Sequence, residues 1–144
     1  MVFFRNANLQ NAFMNLFCNL SFDSPYLLDV IHTMNESQLD GLDFGVIGFD
    51  KDCIVHLYNK YESLASGLSR PKVRNQPFFL VVAPCMNNYL VAQKFEDSYN
   101  LEVDLDEIID FVLTFRMRPT RVRLRMLAKK GAALRHVLIE RSSK

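Results

Sequence analysis

The rhythm of apolar and polar positions changes several times along the chain. Leu9, Phe13, Leu16, Phe17 and Leu20 recur at helical spacing. Leu27, Leu28, Ile31 and Met34 line one face of a second, short helix, and Ser24-Pro25 reads as its cap and first-turn proline. Residues 1–37 are therefore expected to form a helical lead, and residues 38–144 the main domain. From Leu39 the texture turns toward strands. Phe44–Phe49 is short and apolar, Asp50-Lys51-Asp52 is a polar turn, and Cys53–Tyr58 is rich in strand formers, which together predict a hairpin. Asn59 is placed to cap a short helix ending at Gly67. Ser69–Gln76, with Pro71, is expected to be a loop. Phe78–Val82 is a compact apolar run whose periodicity fits helix and strand equally, and Pro84 ends it.

The second half is plainer. Asn87–Tyr99 predicts a helix, and Ile108–Phe115 a strand. Arg121, Arg123 and Arg125 alternate strictly with Val122, Leu124 and Met126, the signature of a half-buried strand. A turn at Lys129-Lys130-Gly131 leads into a last strand, Leu134–Ile139. Five strands grouped at the two ends, with helices between, predict an α+β domain. It is built on a central antiparallel sheet with helices on one face and a helical N-terminal cap.

Composition narrows the function. The 144 residues are 49% hydrophobic and 23% charged, enough apolar material for a core. No run approaches the roughly 20 apolar residues of a membrane span, and Arg5 follows Met1–Phe4 too soon for a signal peptide, so a cytoplasmic protein with no membrane contact is expected. The three cysteines, Cys18, Cys53 and Cys85, are too few and too scattered for a disulfide framework. The three histidines show no metal-ligand spacing, so no metal is expected. The net charge of +1 hides an asymmetry. Residues 116–144 hold ten Lys or Arg against one acid, Glu140, while residues 95–115 hold seven acids and no base. With the total near zero, mutual neutralisation on neighbouring surfaces is favoured over a nucleic-acid partner. Phe3, Phe4, Phe13, Phe17 and Phe22 are expected to pack on the far face of the sheet or in a homodimer through the N-terminal helices.

Particular residues sharpen this outline. Gln38–Leu42, Phe44-Gly45, Tyr58-Asn59, Glu62, Pro77–Phe79, Val82-Ala83-Pro84-Cys85 and Met117–Thr120 occur in an order, and at distances, that resemble the photoactive yellow protein family, a group of PAS-fold blue-light photoreceptors. The resemblance runs from about Gln38 to Arg141 and needs no gap between Gln38 and Cys85. It implies a PAS fold and a covalent chromophore, p-coumaric acid (4-hydroxycinnamic acid), joined to Cys85 as a thioester. It further implies that Tyr58 and a protonated Glu62 hold the phenolate end, with Ser66 supporting Tyr58. Leu68 stands where the family has a lid arginine, the main departure. Ile47, Phe78, Val82, Ala83, Pro84, Phe115 and Met117 would line the pocket.

The physical logic is independent of the family. A phenolate in an apolar pocket is costly unless short hydrogen bonds hold its charge. Burial disfavours the carboxylate form of Glu62, so the acid would serve as a donor. Isomerisation would weaken those bonds, and proton transfer from Glu62 would leave a buried charge and open part of the fold toward an unknown downstream signalling protein. Two rivals stand beside this. One is a light-insensitive PAS interaction or regulatory module, empty or holding another ligand or acyl thioester. The other is acyl transfer through Cys85, which no neighbouring histidine in the sequence supports.

Overall fold

The computed structural model describes residues 20–114 and 118–141. The readings on Phe3, Phe4, Leu9, Phe13, Leu16, Phe17, Cys18, Phe115 and Met117 therefore fall outside the described residues. A short helix α1 (Leu27–Val30) runs into a 3-10 turn (Ile31–Thr33) and is followed by α2 (Glu36–Leu39). The hairpin strands β1 (Gly45–Phe49) and β2 (Val55–Tyr58) come next. Then follow α3 (Lys60–Ser66), α4 (Arg70–Val73), a single π-helical turn (Phe78–Val82), a 3-10 turn (Pro84–Met86) and α5 (Ala92–Leu101). The long strands β3 (Leu105–Leu113), β4 (Thr120–Ala128) and β5 (Arg135–Arg141) complete the order.

All five strands form one antiparallel sheet in the order β2-β1-β5-β4-β3, so the two ends of the chain's strand content meet where β1 pairs with β5. The expected α+β architecture is observed. Two details differ. Ser24 does not cap the first helix; that position is taken by Tyr26, and the Ser24 carbonyl instead accepts from Arg125. Ser69–Gln76 contains one helical turn, because Pro71 sits in its first turn, where its missing N–H costs nothing.

The sheet separates two apolar layers. One face carries Ile47, Phe49, Val122, Leu124, Met126, Val137 and Ile139 against Phe78, Phe79, Val82, Met86, Val91 and Phe95 of the connecting segment. Phe49 and Phe78 stack at 5.0 Å between ring centroids, with Phe79 and Phe95 edge-on to Phe49. The opposite face carries Val46, Leu127 and Leu138 beneath Leu20, Phe22, Leu27, Ile31, Met34, Leu39 and Leu42. Phe22 thus packs on the far face of the sheet.

The charge asymmetry resolves into fastenings for this N-terminal layer. Arg123 grips Asp23 through two hydrogen bonds, of 3.0 and 2.7 Å, and also pairs with Glu140. The Arg123 fork holds the Asp23 carboxyl below the usual carboxylate range. Arg125 is buried. It pairs with Asp106 and donates from Nη1 to the carbonyls of Phe22 and Ser24 at 3.0 and 2.7 Å. Lys129 reaches Asp29 at 2.9 Å. Arg123 and Arg125 of the arginine face of β4 are thus acid-paired and also clamp the lead segment, while Arg121 is exposed. No helix among the described residues is long and apolar enough to cross a membrane.

Candidate functional site

The site is built around the junction of β2 and α3. Asn59 ends the strand and caps the helix: its side-chain oxygen accepts from the Glu62 N–H at 3.1 Å. The same oxygen accepts from the Val46 N–H of β1 at 3.0 Å, and its NH2 group donates to the carbonyls of Leu39 and Phe44 at 2.9 and 3.0 Å. Gly67 closes the helix with φ 78°, a left-handed conformation that suits glycine. A helix fixed this rigidly at its start aims residues four apart to one side, and Glu62 and Ser66 both turn inward. The Tyr58 hydroxyl meets the Ser66 hydroxyl at 2.7 Å, and Tyr58 itself is buried.

Glu62 is 1% exposed, and its carboxyl group is taken by Arg141 at the end of β5. Arg141 Nη1 donates to Oε1 at 2.7 Å and Nη2 to Oε2 at 2.8 Å, a parallel fork. Burial raises the Glu62 carboxyl above the usual carboxylate range, and the Arg141 guanidinium offsets only part of that rise. The burial expected for Glu62 is therefore observed. Both of its carboxyl oxygens accept from the Arg141 guanidinium.

Gly45 explains how the pair fits. A Cβ built on Gly45 would lie 2.1 Å from Glu62 Oε1 and 3.1 Å from its carboxyl carbon. Gly45→Ala is expected to dislodge the carboxylate from Arg141 and to lower stability by about 1–3 kcal/mol, the usual cost of overpacking. Urea titration measures it; an unchanged midpoint would contradict the close contact.

Cys85 is positioned differently. The π-helical turn begins at Pro77, whose carbonyl accepts from the Val81 and Val82 N–H groups, and the 3-10 turn then swings Cys85 outward. Asn88 Nδ2 holds the Cys85 carbonyl at 3.0 Å. Cys85 is partly exposed and borders an open cavity of about 870 Å³, walled by Asn88, Leu90, Phe111, Val112 and Val122. Cys53 is also partly buried, and burial pushes its thiol up, away from nucleophilic use.

Tyr58, Ile47, Phe78, Val82 and Ala83 share one core layer, with Leu68 and Cys85 packed against it. Pro84 is exposed. Neither Tyr58 nor Glu62 borders the Cys85 cavity. Sequence reasoning missed Arg141, which is 79 residues from Glu62 and was one cation among many in a basic tail.

Three comparisons bear on this arrangement. No protein-family model matches the chain. Photoactive yellow protein of Rhodothalassium salexigens is 27% identical over 107 residues, covering 74% of this chain and 85% of that one. The crystal structure of the photoactive yellow protein domain of the sensor histidine kinase Ppr from Rhodospirillum centenum superposes with a TM-score of 0.71 at 32% identity. It covers 79% of this chain and 99% of that domain.

The chain belongs to the photoactive yellow protein family. The fold is correspondingly a PAS fold. A PAS domain from Colwellia psychrerythraea, at 9% identity, superposes over 74% of this chain and 92% of its own with a TM-score of 0.56, a likeness of fold alone. Membership in the photoactive yellow protein family gives the Tyr58, Glu62, Cys85 constellation its context.

Proposed function

We propose that this protein is a light sensor carrying a 4-hydroxycinnamoyl group as a thioester on Cys85. The observation that carries the reading is Cys85 itself, a partly exposed thiol bordering an open cavity in a chain of the photoactive yellow protein family. The cavity's volume lies in the range of small-molecule sites. Cys85 serves as the tether, and the Tyr58 hydroxyl, which can donate while it accepts from Ser66, is the partner proposed for the phenolic end, on the core side of the cavity. When bound, the group supplies absorption and isomerisation about its double bond.

The remaining work falls to the chain. The Cys85 sulfur attacks the carbonyl carbon of an activated hydroxycinnamoyl ester or thioester. The S–C bond forms, the bond to the leaving group breaks, and the thiol proton leaves with that group. Tyr58 and Ser66 orient the phenolic end, while Phe78, Val82 and Ala83 exclude water. The output is a change in the surface offered to a partner protein, and the N-terminal layer packs in a cluster separate from the core around Cys85. Nothing turns over in this reading.

The test adds an activated p-coumaric acid to the purified protein and records intact mass and absorption. One added coumaroyl mass, lost in Cys85→Ser, is the expected result. No adduct, or one that survives in Cys85→Ser, overturns the reading and leaves a PAS module without a covalent chromophore.

A further inference from the structure

We infer that Arg141 holds Glu62 ionised in this protein, so that the carboxyl group at the phenolic end of the site accepts a hydrogen bond and cannot donate one. The pair is on the structure whatever the ligand; its consequence for a ligand rests on the function proposed above.

The geometry carries the inference. Glu62 is 1% exposed and the Arg141 side chain 15% exposed, so water screens neither well. Both carboxyl oxygens are used, one by each terminal nitrogen of the guanidinium, at 2.7 and 2.8 Å. Arginine keeps its charge in proteins. Were Glu62 neutral, its O–H would need an acceptor, and its oxygens have no hydrogen-bond partner but Arg141 among the described residues. The guanidinium would also lose the only anion paired with it among the described residues. The other titratable groups close to the pair are Tyr58 and Tyr61. Gly45 leaves no slack for the carboxyl to swing toward β1.

An ionised Glu62 changes what the site prefers. A phenolate beside it would meet a like charge, which costs free energy in a buried place. A neutral phenol can instead donate to Glu62 and accept from Tyr58. Arg141 is therefore a positioning residue that selects the protonated phenol. Neutral phenols absorb at shorter wavelength than phenolates, so the adduct is expected to absorb in the near ultraviolet. Removing the cation would let buried Glu62 take up a proton, act as donor and favour the phenolate.

Two readouts separate this inference from the proposed function. The first needs no ligand: the infrared carbonyl stretch of a protonated carboxylic acid, assigned to Glu62 by difference from Glu62→Gln. At neutral pH it is expected to be absent in the wild type, present in Arg141→Gln and absent again in Arg141→Lys. A protonated Glu62 band in the wild type overturns the inference, and that comparison stands even if an Arg141 variant fails to fold. The second is the absorption of the Cys85 adduct, expected as phenol in the wild type and displaced toward phenolate in Arg141→Gln. A phenolate spectrum in the wild type overturns the inference while leaving the photoreceptor standing. Absence of any adduct removes the photoreceptor and leaves the infrared result to decide the inference.

Discussion

Asn59→Ala is expected to cost roughly 3–5 kcal/mol, from several buried groups left unpaired at about 1–3 kcal/mol each, discounted for partial relaxation. Asn59 is fully buried, and its side chain meets two N–H donors, from Val46 and Glu62, and two carbonyls, of Leu39 and Phe44. These partners lie on α2, its following loop, β1 and α3, so one side chain ties together segments that a cap alone would not join. Water cannot replace it, because the site is closed. Asn59→Asp keeps both acceptor contacts but not the donors, and adds charge beside Glu62, so it should also destabilise the fold. Asn35, which caps α2 in an exposed capping box, is the control at about 1 kcal/mol. Urea midpoints measure all three. A loss below 1 kcal/mol for Asn59→Ala would mean that the junction relaxes around its absence. The same variant should loosen Glu62, since the helix start that aims it is gone.

The cap role of Asn59 was legible in the sequence because capping is local: a short polar residue, then a helical run, then Gly67 about two turns later. Its grip on Leu39, Phe44 and Val46 was not legible, because those partners come from the folded sheet. The same division recurs elsewhere. The β1–β2 hairpin and the alternation of β4 were readable, since period and turn chemistry are local properties. The start of α5 was misplaced at Asn87. The Asn88 side chain accepts from the Leu90 and Val91 N–H groups and donates to the Cys85 carbonyl, which holds the chain out of helix until Ala92. Arg125 belongs to an arginine-bearing face, yet it is buried beneath the carbonyls of Phe22 and Ser24, a contact made across more than 100 residues. Arg141 is the sharpest case. The candidate site was readable as residue types at fixed spacings, whereas the cation that changes the chemistry of Glu62 arrives from the far end of the chain. Only the pairing of β1 with β5 brings Arg141 beside Gly45 and Glu62.

That same β1–β5 seam buries His136, which makes stability fall steeply with acid. His136 is opposite Gly48 on β1 and Leu127 on β4, and shares the N-terminal layer's side of the sheet with Leu138. It is 1% exposed, and its Nε2 has no hydrogen-bond partner among the described residues. Burial pushes its pKa down to about 3, and His32, on the 3-10 turn that packs against β5, adds repulsion. The unfolded chain binds this proton near 6.5 and the folded chain does not until about 3. Above 6.5 both states are neutral and the group's contribution is fully present. As pH falls below 6.5, the unfolded state gains a proton alone, and stability drops by about 1.4 kcal/mol per pH unit until the folded group titrates too. The whole window is worth roughly 4–5 kcal/mol, and about 2 kcal/mol is already lost by pH 5. Urea midpoints at pH 7.5 and pH 5 on the wild type and His136→Leu measure it, because every other titrating group is common to both and cancels. His136→Leu is expected to lose about 2 kcal/mol less over that interval. It should also be no less stable at pH 7.5, since it removes an unpaired polar atom. Equal slopes in the two proteins would show that the unfolded and folded states bind this proton alike. The lost stability would be felt first where His136 lies, under the N-terminal layer held by Arg123, Arg125 and Lys129. Acid should therefore release that layer before it unfolds the face that carries Cys85.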